Sequence, residues 1–94
     1  MWLVDERGAL VNLDYVTGIE PNAMKSFAAD GEPMYEITAY RSGPGADWIL
    51  VTMVDHRTAF WIMGQLAKAL SSGQTVLDVR ELAGRQREAA ADHT

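Results

Sequence analysis

The stretch WILVTMVDHRTAFWIMGQLAKAL, residues 48–70, contains the change of period on which the fold turns. Over Trp48 to Val54 the side chains alternate. Trp48, Leu50 and Val54 fall on one side of an extended chain, and Ile49, Val51 and Met53 on the other. Both sides are apolar, so the strand is expected to be covered on both faces: by a helix on one, and by a curling sheet or a second subunit on the other. At Asp55, a predicted N-cap, the period changes to that of a helix, which runs through Leu70 until Ser71-Ser72-Gly73 stops it. Ala59, Ile62, Met63, Leu66, Ala67 and Leu70 make one apolar stripe, with Phe60 at its margin, and this stripe is predicted to lie on the sheet. Trp61 falls nearly opposite it, beside Gln65 and Lys68 and close to Gly64. A large indole turned to water marks a place where proteins meet, so Trp61, Gln65 and Lys68 are the candidate partner-binding residues.

Upstream of this stretch the apolar residues recur at strand spacing, broken by turn residues. Met1 to Val4 and Leu10 to Leu13 read as a hairpin across Glu6-Arg7-Gly8-Ala9, where Gly8 supplies the positive φ of a tight turn. Tyr15 to Ile19 continues or restarts the second strand, with a bend suggested by Asn12, Asp14 and Gly18, and Glu20-Pro21-Asn22 is expected to end it. Met24 to Ala29 is a further candidate strand, followed by the hairpin signal Asp30-Gly31. Tyr35 to Tyr40 alternates as a half-buried strand does. The loop Ser42-Gly43-Pro44-Gly45 lacks the Lys and hydroxyl residue of a phosphate-binding loop and reads as a plain hairpin turn. Thr75 to Val79 adds a brief strand, and Arg80 to Ala91 has helix-favouring composition. The expected architecture is α+β: an antiparallel meander of about five strands, curled or rolled, packed by one long helix. Residues 1–79 form the predicted domain and 80–94 a helical or partly disordered tail, of which Ala90 to Thr94 is expected to contribute little.

Composition bounds the function. Ninety-four residues with 48% hydrophobic content support one domain with a packed core, of a size at which a partner's surface adds useful burial. With no cysteine there is neither a disulfide framework nor a thiolate ligand or nucleophile, which suits a reducing cytoplasm. The start of the chain lacks the pattern of an export signal, and the longest apolar run, Trp48 to Val54, is too short to cross a membrane. A net charge of -5 disfavours a nucleic-acid backbone, and Arg80, Arg85 and Arg87 are interleaved with Glu81 and Glu88.

No motif in the chain carries chemistry by itself. Asp55 and His56, with Thr58 nearby, are the best catalytic grouping, yet adjacent helix residues do not face one another and Asp55 has a capping role. Two histidines far apart offer no metal site, so no metal or cofactor is expected. Asp5 with Glu6, and Glu32 with Glu36, read as solvent-facing acids beside turns. Tyr15, Tyr35 and Tyr40 lack accompanying basic residues and read as core and rim rather than as a stacking platform.

Gly8-Ala9-Leu10-Val11-Asn12-Leu13 followed by Ile19, and later Ala59-Phe60 to Ala67, are similar to segments of short bacterial proteins. The order of elements over roughly residues 1–72, a meander and then one helix, resembles the pleckstrin-homology-like architecture. That resemblance implies a fold, while the apolar supply, more than one small sheet and one helix can hide, points to a surface that is covered by a partner. Five strands are fewer than the family's seven, and Arg7 stands alone in the first hairpin loop, so lipid-head-group binding is not carried over. The resulting expectation is a non-enzymatic binding or assembly module that forms a homo-oligomer, with a protein partner and neither nucleic acid nor membrane. The alternatives are a small enzyme with His56 in a site formed between subunits, and a nucleic-acid-associated regulator using the Arg80 to Arg87 segment.

Overall fold

The chain opens with a hairpin of β1 (Trp2–Val4) and β2 (Leu10–Asn12), whose turn is organised by one carboxylate. Asp5 Oδ1 accepts from the backbone N–H groups of Arg7 (2.9 Å) and Ala9 (2.8 Å), while the Asp5 N–H donates to Ala9 O (2.9 Å) and Gly8 N–H to Asp5 O (3.0 Å). Gly8 has φ +90°, as the sequence predicts. A 3-10 turn, Leu13–Tyr15, follows; Asn12 accepts from the Asp14 N–H at 3.0 Å and so produces the expected bend. The computed structural model describes residues 1–41, 43, 45, 47–82 and 84.

Three antiparallel strands come next: β3 (Val16–Phe27), β4 (Pro33–Arg41) and β5 (Trp48–Val54), in the order β3-β4-β5. β3 is one strand where the sequence suggests two. It runs through Glu20-Pro21-Asn22 because it is an edge strand, so the missing N–H of Pro21 can face outward without breaking the ladder to β4, where Pro21 lies opposite Ile37. The turn to β4 is built on Asp30-Gly31 as predicted, with Asp30 accepting from the Glu32 N–H (3.0 Å) and Gly31 at φ +88°.

β5 departs from simple alternation. Its register against β4 advances three residues (Val54 to Val51) against two (Tyr35 to Ile37), then two (Val51 to Ile49) against one. Two bulges therefore lie along it, one at Met53, whose φ is +56°. The bulges place Leu50 and Val51 together in the core and turn Ile49 (43% exposed) and Met53 (52%) outward. The chain's own sheet therefore does not cover the second face of β5, since an extra residue reverses the alternation that follows it.

The helix α1 (His56–Ser71) is capped at both ends as the sequence indicates. Asp55 accepts from the Thr58 N–H at 2.7 Å, and beyond the helix Gly73, at φ +73°, lets Gln74 N–H reach Ala69 O (3.1 Å) and Gly73 N–H reach Leu70 O (3.4 Å). α1 packs across β3 and β4. Its buried residues are Ala59, Ile62, Leu66 and Ala69, while Met63 is half-buried and Ala67 and Leu70 are exposed. The core stripe is rotated by roughly half of the 100° residue step from the predicted one, toward Gln65. The reason lies downstream. The chain after Gly73 returns along this side as β6 (Val76–Asp78), which runs parallel to β1 and completes a second sheet, β2-β1-β6.

The fold is α+β, with two three-stranded sheets in place of one meander of about five strands. The core joins Leu3, Val11 and Leu77 of the first sheet to Ile37, Ala39, Leu50 and Val51 of the second and to the buried helix residues. The chain turns helical again at Val79, and Val79 and Leu82 are both buried, so packing continues to Leu82. Ala90 to Thr94, where the dispensable end of the tail is expected, lies outside the described residues.

Met53 holds a left-handed conformation that costs a non-glycine residue about 1–2 kcal/mol, and its exposed side chain loses little packing if removed. Met53→Gly is expected to raise the unfolding free energy by about 0.5–1 kcal/mol in urea titration, glycine's larger chain entropy offsetting part of the relief. Destabilisation instead would mean that the Met53 side chain supports the bulge.

Candidate binding surface

The two sheets differ in what they turn outward. Register places Glu20 opposite Thr38 and Asn22 opposite Glu36 on the outer face of the second sheet, and Asn22 Nδ2 donates to Tyr40 Oη (3.0 Å). Across β3 and β4 that face is polar and internally bonded, while β5 adds the exposed Ile49, opposite Thr38, at its margin. In the first sheet, Leu3 stands beside Val11 and Leu77 on the buried side. The outward side pairs Trp2 with Asn12 and Val76, and Val4 with Leu10 and Asp78. Trp2 is 44% exposed, Leu10 61% and Val76 50%, so a small sheet presents a mainly apolar outer face.

A groove of about 390 Å³ runs along the open side of β2, lined by Trp2, Leu10, Tyr15, Val16, Arg41 and Trp48 among others. Trp48 is its fixed wall. The indole N–H donates to Asp5 Oδ2 at 2.8 Å, and the Arg41 guanidinium lies over the ring, 4.6 Å from its centroid. Asp5 itself has no exposed surface. Burial alone pushes its carboxyl pKa up, but the bonds from Trp48, Ala9 and Arg7, with the Arg7 charge, outweigh this and hold it below the ordinary 3.8. The Arg7 charge contributes least: the guanidinium is exposed and reaches Asp5 Oδ2 only at 3.5 Å. The sequence places Asp5 among solvent-facing acids, whereas its neighbours' orphan N–H groups and an indole 43 residues away draw it inside. Its spacing from Gly8 and Ala9 was the available signal for the turn; nothing local signals Trp48.

The other predicted residues are dispersed. Trp61 is half-buried and packs against the core cluster instead of facing water. Gln65 and Lys68 line a separate open groove with Ala69, Gln74 and Leu77, where the returning chain lies beside the helix. His56 is exposed and stacks on Phe60 (4.4 Å between centroids), with Tyr35 edge-on to both. Asp55 is occupied by its cap, and the Thr58 backbone and side-chain bonds hold its pKa below the usual carboxylate value. Arg80 pairs with Asp78 through two bonds of 3.0 and 2.7 Å, so its charge is already met. Arg85, Arg87 and Glu88 lie outside the described residues. Among the described residues no three His, Asp or Glu gather into a metal site, and no helix is long and apolar enough to cross a membrane.

Comparison of the chain with protein-family models, with curated proteins and with solved structures gives no match. The assignment of a role therefore rests on the surface itself.

Because the folded Asp5 pKa lies below its unfolded value, the stabilisation it gives is fully present above pH 3.8 and is lost as pH falls through the folded value. Asp55 and Asp78 shift in the same direction. Urea titrations between about pH 5 and pH 2 are expected to show wild-type stability falling on acidification. Asp5→Asn should be less stable by about 1–3 kcal/mol at neutral pH and should flatten the acid limb. An unchanged acid limb in Asp5→Asn would contradict the assignment.

Proposed function

We propose that this chain is a non-enzymatic binding and assembly module that associates with a second copy through the outer face of the β2-β1-β6 sheet. The observation that carries this reading is the contrast between the two outer faces. Across β3 and β4 one is polar and bonded within itself, with a lone exposed Ile49 at its β5 margin, whereas the other shows Trp2, Leu10 and Val76 together to solvent. Half-exposed side chains of this size contribute about 1 kcal/mol each when covered. Three or four from each of two copies give about 6–8 kcal/mol, within the range of about 4–15 kcal/mol that association costs. The assembly is accordingly concentration-dependent.

Lipid-head-group binding is not proposed, since Arg7 is turned back to Asp5.

Light scattering from about 10 µM to 1 mM is the test, because the gross gain of about 6–8 kcal/mol less the smallest association cost corresponds to an affinity of about 1 mM at its strongest. Wild type is expected to pass from monomer to dimer, Trp2→Lys to stay monomeric, and both to keep the same circular dichroism. Trp61→Glu places a charge against the core and is expected to lower the melting temperature. A wild type monomeric throughout, or a folded Trp61→Glu that abolishes the dimer while Trp2→Lys does not, would overturn the assigned face.

A further inference from the structure

We infer that the groove beside β2 is a recognition site for an extended acidic segment of a partner protein, which adds as a strand to the β2 edge and places a carboxylate on Arg41. Two independent observations carry this. The first is the backbone. Asp5 N–H donates to Ala9 O and Leu13 N–H to Met1 O, so the odd-numbered residues of the hairpin form its hydrogen-bonded pairs. The N–H groups of Leu10 and Asn12 therefore point away from β1, and among the described residues they meet no acceptor. A strand edge that opens onto a groove is a template for an added strand, with main-chain bonds for affinity and side-chain contacts for selection.

The second observation is charge. Arg41 lines the same groove, and no carboxylate of the described residues pairs with it. The guanidinium lies on an indole whose N–H is tied to a buried carboxylate, so its position is set before any ligand arrives. Its fork of donors suits a carboxylate, and Trp2, Tyr15 and Val16 beside it suit an apolar side chain at a neighbouring position of the same segment. Stacked bases would also suit the aromatic walls, but one arginine is poor footing for a run of phosphates, and bases make no use of the open strand edge. The site is distinct from the assembly face: Trp2 and Leu10 border both, whereas Arg41 belongs to the groove alone.

The test is titration of the isotope-labelled full chain with an acetylated, amidated hexapeptide of alternating valine and glutamate, followed by amide and indole resonances. The Leu10 and Asn12 amides and the Trp48 indole N–H are expected to move together and saturate. A glutamine-for-glutamate peptide, which needs no variant protein, is expected to bind about tenfold more weakly or worse, as is the glutamate peptide to Arg41→Gln. Dimerisation measured by light scattering is expected to be unchanged in Arg41→Gln. Equal affinity for the glutamate and glutamine peptides overturns the proposal, as does a response confined to other residues. So does a thymidine hexanucleotide moving these resonances at lower concentration than the peptide, or the Trp48 indole N–H, which lies off the assembly face, moving with protein concentration alone, which would place a second copy in the groove.

Discussion

The hydrogen bond from the Trp48 indole to the buried Asp5 carboxylate is the constraint on which the arrangement of the two sheets depends. Removing a carboxylate from water is costly, and Asp5 remains ionised only because its oxygens meet fixed donors: Arg7 N–H, Ala9 N–H and the indole. The first two close the β1–β2 turn. The third reaches the start of β5, where Glu6 N–H also donates to Leu50 O at 3.0 Å. One side chain thus shapes a local turn and joins it to a strand of the other sheet. The exposed Arg7 pair, by contrast, is at a distance and exposure where ion pairs contribute little.

From that junction the surface follows. Fixing Trp48 fixes the ring on which Arg41 lies, and hence one wall of the groove along β2. The second sheet protects its own margins: Pro21 removes an outward N–H from β3, and bulges bend β5 away from a straight edge. The first sheet has no comparable device on β2, which is three residues long and ends in a 3-10 turn. Its short length limits non-specific pairing while leaving the Leu10 and Asn12 donors open.

Local chemistry made much of the fold legible in the sequence. Gly8, Asp30-Gly31, Asp55 and Gly73 each need only their immediate neighbours to act, and each turn or cap stands where its residues indicate. The departures are non-local. Pro21 reads as a strand end unless the strand is known to be at an edge. Alternation along β5 reads as two buried faces unless the bulge at Met53 is known. The helix phase shifts because a segment that pairs parallel with the first strand comes back along one side of it, and Ala69 is buried in consequence. The candidate surface was the least legible. Trp61, conspicuous in the helical pattern, packs on the core, whereas Trp2, Leu10 and Arg41 acquire meaning only when two sheets bring them together.

Hydrogen exchange at the Trp48 indole N–H tests the central claim most directly, because it reads the junction itself. A solvent-exposed indole exchanges freely, while one bonded to a sealed carboxylate exchanges only when the sheets part. The account predicts that the Trp48 indole proton is protected to the level of the slowest core amides, such as those of Leu3 and Val11, and that the Trp2 indole exchanges rapidly. Rapid exchange at Trp48 while those core amides remain protected would contradict it.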